Sequence, residues 1–483
     1  MGSSNSKPVI MWFRKDLRLH DNLALMEACA GRRPVVPVYI RESAELGTGP
    51  LGAAQAWWLH HSLASLKQSL RKLGTDLLLI SGDPLSAIES LAKATGADAV
   101  VWNRRYDPPG MAIDARVKSA LKSRGVAVKS FAGQLLHEPS TLVSGSGTPY
   151  RVFAPFWRAI EAGEHVLEPL DSPNAIASAA DLCRSEDLGS WNLLSKNPDW
   201  AHAFPEVWTP GEAAALEKLA DFIDGGLDGY AQGRDFPGKP FTSMLSPHLA
   251  MGEIAPARIW HATRGLGSRT GSSDVVQFRK ELAWRDFSYH LLFHFPNLPH
   301  SNWDDRFDRF AWRSDRSLFR RWTTGMTGYP IVDAGMRQLW QHGWMHNRVR
   351  MITASFLAKD LMINWRHGEA WFRDTLVDAD AASNAANWQW VAGSGADAAP
   401  FFRIFNPVLQ GEKFDPNGEY VRRFVPELAN LEDRFIHRPF DAPTAALRKA
   451  GVTLDRTYPR PVVDHGVARE HALQVYKKMR DNA

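Results

Sequence analysis

Two kinds of hydrophobic pattern divide the chain. Near the N-terminus short apolar runs alternate with longer amphipathic stretches. Residues 9–13, 35–40, 77–80, 99–102 and 126–130 read as buried strands, and 22–29, 54–73, 84–95 and 112–123 as helices between them. In the second helical stretch Trp58, Leu59, Leu63, Leu66 and Leu70 recur at helical spacing, and Gly74, Gly96 and Gly125 stand where helices stop. Strand–helix alternation with single-helix crossovers predicts a doubly wound parallel sheet over 7–131. Residues 132–205 lose the rhythm. Ser144-Gly-Ser-Gly-Thr-Pro149 and Asp171-Ser-Pro-Asn174 punctuate them, which predicts a long, mostly irregular linker. Residues 206–478 carry apolar positions at three- and four-residue spacing, as in Met336, Leu339 and Trp340, then Val349, Ile352, Phe356 and Leu361. The expected fold is thus an α/β unit followed by an all-α unit.

Composition narrows the class. Of 483 residues 44% are hydrophobic and 23% charged, which excludes a disordered or collagen-like chain. Only Cys29 and Cys183 are present, too few for a disulfide scaffold or a four-cysteine metal site, and suited to a reducing cytoplasm. No apolar run nears the roughly 20 residues of a membrane span. The net charge of +4 argues nothing by itself. Its distribution says more: residues 306–350 hold nine arginines, three aspartates and neither lysine nor glutamate. Guanidinium groups suit bidentate contact with phosphate, although a solvated helical face explains the charge equally well. The 19 tryptophans against 9 tyrosines invert the usual ratio.

Some motifs carry little. Gly47-Thr-Gly-Pro-Leu-Gly52 matches G-x-G-x-x-G but follows the second strand rather than the first, and reads as a loop. His290 and His294, and His342 and His346, have chelating spacing without a third ligand, so no metal is expected. The helical half holds the denser chemistry. Thr242-Ser-Met-Leu-Ser-Pro-His248 is a hydroxyl-rich turn, with Ser246 as candidate N-cap and Pro247 at the first helical position. Such a helix start suits a phosphate, or is simply capped. Tyr230-Ala-Gln-Gly-Arg234 lies just upstream. Asp378-Ala-Asp-Ala-Ala-Ser-Asn384 sets two acids and an amide among small residues that let a flat ligand approach, and either acid could pair with Arg350. Plain acid capping of a helix explains it as well. Glu281, Trp284 and Arg285 share one helical face, as do Asn347, Arg348 and Met351. Arginine beside tryptophan is either a core edge or a surface on which bases stack.

Taken together, Trp12-Phe-Arg-Lys-Asp-Leu-Arg-Leu-His-Asp-Asn22, Thr327-Gly-Tyr-Pro-Ile-Val-Asp-Ala-Gly335, Gly343-Trp-Met-His-Asn-Arg348, Asn387-Trp-Gln-Trp390 and Phe402-Arg-Ile-Phe-Asn-Pro407 resemble the photolyase/cryptochrome family from Trp12 to about residue 476. The resemblance implies an N-terminal antenna domain and a helical domain holding FAD. It puts Tyr230, Thr242, Ser243, Met244, Leu245, Ser246 and Phe278 at flavin-contacting positions. Glu281, Arg285, Asn347, Asp378, Asp380 and Asn384 would line the flavin and active site, with Arg350 on Asp378 and Asn384 facing flavin N5. Glu281, Trp284, Asn347, Met351 and Trp390 match residues that receive a flipped lesion, and Arg234, Arg348, Arg403 and Gln410 match DNA-facing positions. Trp388, Trp365 and Trp312 match a photoreduction chain.

Within the family, Asn384 at the N5-facing position and the absence of histidine from 347–351 favour repair of cyclobutane pyrimidine dimers over (6-4) repair or a cryptochrome-type receptor without repair, which is the alternative. The 49–58 stretch resembles the bacterial class III group. That likeness implies methenyltetrahydrofolate as antenna chromophore, with 8-hydroxy-deazaflavin as alternative and Glu42 and Asn103 as its contacts. UV-damaged DNA is the expected partner of a cytoplasmic monomer with no membrane contact.

Overall fold

The computed structural model describes residues 6–43, 51–163, 166–195, 197–268, 272–397 and 402–481; Gly47 to Pro50 of the G-x-G-x-x-G match lie outside them. Packing divides the chain into two compact units, one of residues 1–196, 208–228 and 243–296, the other of 197–207, 229–242 and 297–483.

The first unit is built on five parallel strands in the order β3-β2-β1-β4-β5: β1 (Val9–Phe13), β2 (Val35–Glu42), β3 (Leu78–Gly82), β4 (Ala99–Asn103) and β5 (Ala127–Phe131). Val9 stands opposite Val35 on one side and Ala99 on the other, so β1 is central, and all five of its residues are buried. Each strand lies within two residues of its sequence prediction; β1 and β4, buried at every position, read as continuous apolar runs, whereas β5 is exposed or half-buried along its length. The crossovers are α1 (Leu23–Cys29), α2 (Ala53–Lys72), α3 (Pro84–Thr95) and α4 (Pro108–Ser123). Asn22 caps α1 by accepting from the Leu25 amide, and Asp83 caps α3 through that of Ser86. The fourth crossover starts four residues earlier than its apolar spacing suggests. Asp107 caps it through Gly110 N–H, and Pro108 and Pro109 fill a first turn that needs no donors.

The linker is less irregular than expected. Phe153–Ala162 is a helix that buries Phe153, Phe156, Trp157 and Ile160 on one face, a spacing the surrounding turn residues obscured. Further along, Ser246–Met251, Pro256–Ala262 and Ser272–His294 are helices of the same unit. Gly252, with φ of +71°, closes the first of these. A Cβ there would lie 2.0 Å from the Lys15 carbonyl oxygen, so only glycine fits.

The second unit is helical, including Pro330–His342, Asn347–Ser355, Trp365–Thr375, Ala381–Ala392, Pro407–Phe414 and His465–Asp481. Trp322, Leu339, Val349, Ile352, Trp365, Phe372, Trp388 and Tyr420 belong to its core. The most distinctive motifs brace this unit. Fully buried Asp333 accepts from the amides of Thr327 and Gly328 and from the hydroxyls of Thr327 and Tyr458. Gln389, between Trp388 and Trp390, donates to the carbonyls of Leu298 and Ser301 and accepts from Trp303 N–H. Asn406 caps Pro407–Phe414. Among the described residues no helix is long and apolar enough to cross a membrane.

Candidate active site

In the first unit the Ser272–His294 helix carries Phe278, Glu281, Trp284 and Arg285. Phe278 is buried against Phe222, ring centres 4.7 Å apart. Glu281 is half-buried and accepts from Gln277 Nε2 at 2.9 Å. One face of the Trp284 indole stacks on Phe153 at 3.5 Å with the rings 7° from parallel. Arg285 donates to the Gln134 carbonyl at 2.7 Å. Beside it Asp286, which sequence reasoning passed over, accepts from the amides of Leu136 and His137, and burial pushes its carboxyl up to about 7.

The hydroxyl-rich turn is arranged differently from the expectation. Ser246 is the first residue of its helix rather than the cap; Leu245 holds the cap position, without a side-chain bond. Met244 lies in the left-handed region at φ of +55°, a conformation that costs a non-glycine residue about 1 kcal/mol. That turn, followed by Leu245 already near helical angles (φ −86°, ψ −7°), brings the chain into the helix early. Ser246 is left exposed, with Ser243 half-buried.

In the second unit His346 caps the helix Asn347–Ser355, its Nδ1 accepting from Arg348 N–H at 3.2 Å. Asn347 is exposed and Met351 half-buried. Arg350 donates to Asp378 Oδ2 at 2.7 Å, the pair the sequence anticipated, and to the Met345 carbonyl. Asp380 caps Ala381–Ala392 through the amides of Ala382 and Ser383, so the capping reading holds for this acid. Asn384 donates from Nδ2 to the carbonyl and the carboxylate of Glu369, at 3.0 and 2.8 Å. Burial raises the Glu369 pKa. Trp390 Nε1 donates to the Asp397 carbonyl, and its ring lines a cleft with Lys359, Arg403 and Tyr476. Lys359 is buried, donates to the Arg403 carbonyl, and is pushed down to about 7 by burial.

Of the expected DNA-facing residues, Arg403 is exposed and Gln410 half-buried. Arg348 pairs with Asp235 at 2.6 Å and lies over Phe414. Arg234 lies over buried Tyr230, 5.5 Å from its ring centre, and Thr242 is half-buried. Trp388 and Trp365 are buried and Trp312 is partly buried. Gly368, one turn along from Trp365, is required bare: a Cβ would lie 2.1 Å from the Trp388 ring. At the candidate antenna positions Arg105 holds both Glu42 oxygens, and the Asn103 amide donates to Asp16 and Asn22.

The donor set fits a flavin. Asp378 Oδ1 is buried without a hydrogen-bond partner while Oδ2 is held by Arg350, so the carboxylate keeps one acceptor for an imide N–H or a ribityl hydroxyl.

His346, Glu369, Asp286 and Lys359 were missed as contributors. Each stands beside other charged residues in the sequence, and only its burial distinguishes it. His346 gives a test. Burial pushes it from 6.5 down to about 4, as its role as a neutral acceptor requires. Between those values the unfolded chain binds a proton that the folded protein refuses. Stability therefore falls as the pH drops through this window, by about 3 kcal/mol at pH 4. His346→Asn keeps a capping side chain and removes the titration. Urea unfolding from pH 7 to pH 4 should show a shallower loss in the variant; parallel curves would clear His346 of that role.

Two family models match the chain. One described as DNA photolyase matches residues 9–174, and one described as the FAD binding domain of DNA photolyase matches 278–478. The deoxyribodipyrimidine photo-lyase of Agrobacterium fabrum is 64% identical over 474 residues, 98% of each chain. Cryptochrome-1 of Arabidopsis thaliana is 38% identical over 96% of this chain and 69% of its own. The crystal structure of a bacterial class III photolyase from Agrobacterium tumefaciens matches with a TM-score of 0.97 at 63% identity, covering 99% of both chains. A similarity this high along the whole length leaves one conclusion: the chain belongs to the photolyase/cryptochrome family, whose helical domain binds FAD.

Proposed function

We propose that the protein is a deoxyribodipyrimidine photo-lyase, a carbon–carbon lyase that uses blue light to split cyclobutane pyrimidine dimers in DNA. The observation that carries repair over signalling is the 64% identity, along 98% of both chains, to a deoxyribodipyrimidine photo-lyase, against 38% to a cryptochrome. The functional division follows the sequence: 7–131 as antenna domain, 132–205 as linker, 206–478 as catalytic domain.

Reduced FAD, when bound, supplies on excitation the single electron that opens the cyclobutane ring, and takes it back afterwards. The protein's part is position and electrostatics. Asp378 and Asp380, with Arg350 fixing the first, accept from the flavin's donors. Tyr230, Thr242, Ser243, Met244, Leu245, Ser246, Phe278 and Arg285 complete its contacts. Glu369 engages the Asn384 amide N–H group, which leaves the Asn384 carbonyl oxygen as the acceptor to offer flavin N5. A dimer inside the duplex is out of reach and is flipped out, at a lower cost than a sound base, as the general behaviour of photolyases has it. Arg234, Arg348, Arg403 and Gln410 hold the backbone around it. Trp284, one face already on Phe153, and Trp390 give flat apolar surfaces, Met351 a soft contact, and Asn347 and Glu281 hydrogen bonds to the base edges.

The antenna chromophore in this proposal is methenyltetrahydrofolate, with 8-hydroxy-deazaflavin as alternative. Glu42 and Asn103 end β2 and β4, at the carboxyl ends of the strands, where open α/β folds bind ligands. The substrate is UV-damaged DNA, and the protein acts as a cytoplasmic monomer.

Glu281→Ala tests the catalytic assignment. It should retain flavin yet split about tenfold fewer dimers per absorbed photon, the loss of one hydrogen bond to a developing charge. A wild-type photon yield would remove Glu281 from the mechanism.

A further inference from the structure

We propose that buried Lys359 is a positioning residue for DNA binding: by donating to the Arg403 carbonyl it ties the irregular segment 402–405 to the helix that carries Met351, and so sets Arg403 against the backbone of the damaged strand. This rests on the reading of Arg403 as DNA-facing, and adds the residue that fixes where it stands.

Residues 402–405 form neither helix nor strand, and the next helix starts only at Pro407, under the Asn406 cap. The backbone groups of such a segment need partners from elsewhere. Two come from one helix. The Phe405 amide donates to Ser355 Oγ at 3.3 Å, and Lys359 Nζ donates to the Arg403 carbonyl. Met351, Ser355 and Lys359 follow at four-residue steps, which sets them along one face. The helix Asn347–Ser355 runs on through a wider turn, Phe356–Asp360, closed by the Leu361 amide on the Phe356 carbonyl at 2.9 Å. Such turns recur at functional sites.

Phe402 is held from the same side. It is buried, with its ring parallel to that of Tyr476 at 4.6 Å and its centre 4.5 Å from the Lys359 ammonium. Arg403 is exposed, and with Trp390 and Lys359 it lines one cleft. The segment is thus anchored from within while its arginine stands outside.

Stability alone does not call for a lysine here. Lys359 is 4% exposed, and the neighbouring Asp360 carboxylate engages His465 at 2.6 Å. Burial holds Lys359 down to about 7. An apolar side chain of similar length would fill the space without that cost. What the lysine supplies is a donor on a long arm, placed on the carbonyl of the residue that meets DNA. A pinned carbonyl restricts the backbone on both sides of it. Arg403 then meets a phosphate with less freedom left to lose, and affinity gains what ordering would have cost.

The test is a double-mutant cycle on the FAD-loaded protein. Binding to an oligonucleotide with a single thymine dimer is measured in the dark for Lys359→Met, Arg403→Ala and the pair. Methionine fills the buried space without a charge, and flavin content checks the fold; Lys359→Gln gives the same cycle if methionine packs badly. Arg403→Ala should weaken binding about tenfold, and Lys359→Met several-fold. In the Arg403→Ala background Lys359→Met should cost less than about twofold more, because its effect runs through Arg403. Wild-type affinity in Lys359→Met, with Arg403→Ala weakened, would overturn the proposal. So would a Lys359→Met loss that is undiminished in the pair, since Lys359 would then act on DNA independently of Arg403. Wild-type affinity in Arg403→Ala would strike the DNA-facing reading itself, and the proposal with it.

Discussion

Asp378→Ala should yield a folded protein that is purified almost free of flavin. The carboxylate does two things at once. One oxygen binds Arg350 at 2.7 Å; the other is buried with no partner in the protein. Its removal deletes an acceptor for the flavin and leaves the Arg350 guanidinium with the Met345 carbonyl as its remaining hydrogen bond. Breaking a buried pair from one side costs about 3–5 kcal/mol. Arg350 is partly exposed and recovers some of that from water, so the fold should survive with lower stability. Asp378→Asn keeps the shape and one acceptor but loses the charge. It should weaken FAD by about a hundredfold, the worth of a charge-assisted hydrogen bond near 3 kcal/mol. Flavin absorbance per chain and equilibrium dialysis measure both. Stoichiometric FAD in the alanine variant would place the flavin elsewhere.

Trp365→Phe should slow light-driven reduction of oxidised flavin by more than a hundredfold, the factor that about 3 kcal/mol adds to a barrier. Phenylalanine fills most of the same buried space, but its ring gives up an electron far less readily than indole. The lost Nε1 bond leaves Asn302 Oδ1 unpaired, at a cost of about 1–2 kcal/mol, which the surrounding core can absorb. Steady blue illumination with an external electron donor, read by flavin bleaching, gives the rate. Repair by protein reduced beforehand with dithionite should continue, because splitting a dimer makes no demand on the chain. Equal loss in both assays would mean that Trp365 serves the fold or the flavin rather than electron supply.

The centre of the sheet was legible because burial on both faces leaves β1 and β4 as apolar runs, and β1 and α3 fall on their predicted residues. The Asp380 cap was legible for another reason, since an acid beside a helix start has few alternatives; that Arg350 pairs with Asp378 rather than Asp380 came from the family resemblance. What escaped depends on tertiary contact. Phe153–Ala162 has a clear apolar face, masked by the turn residues around it. Ser246 reads as a cap, but a left-handed Met244 sets the entry one residue earlier, and left-handed methionine has no sequence signature. Glu369 reads as an ordinary helical acid until the Asn384 amide is found on it. The roles of Glu281, Trp284 and Met351 came from family resemblance, since spacing alone puts them on helical faces and no further.

The most direct test of the account is repair of an oligonucleotide containing a single thymine dimer. The purified, prereduced holoprotein is incubated with it under blue light and, separately, in the dark. The account predicts recovery of intact thymines in the light alone. No recovery in the light, with FAD bound and reduced, would contradict it, and recovery in the dark would contradict the photochemical mechanism.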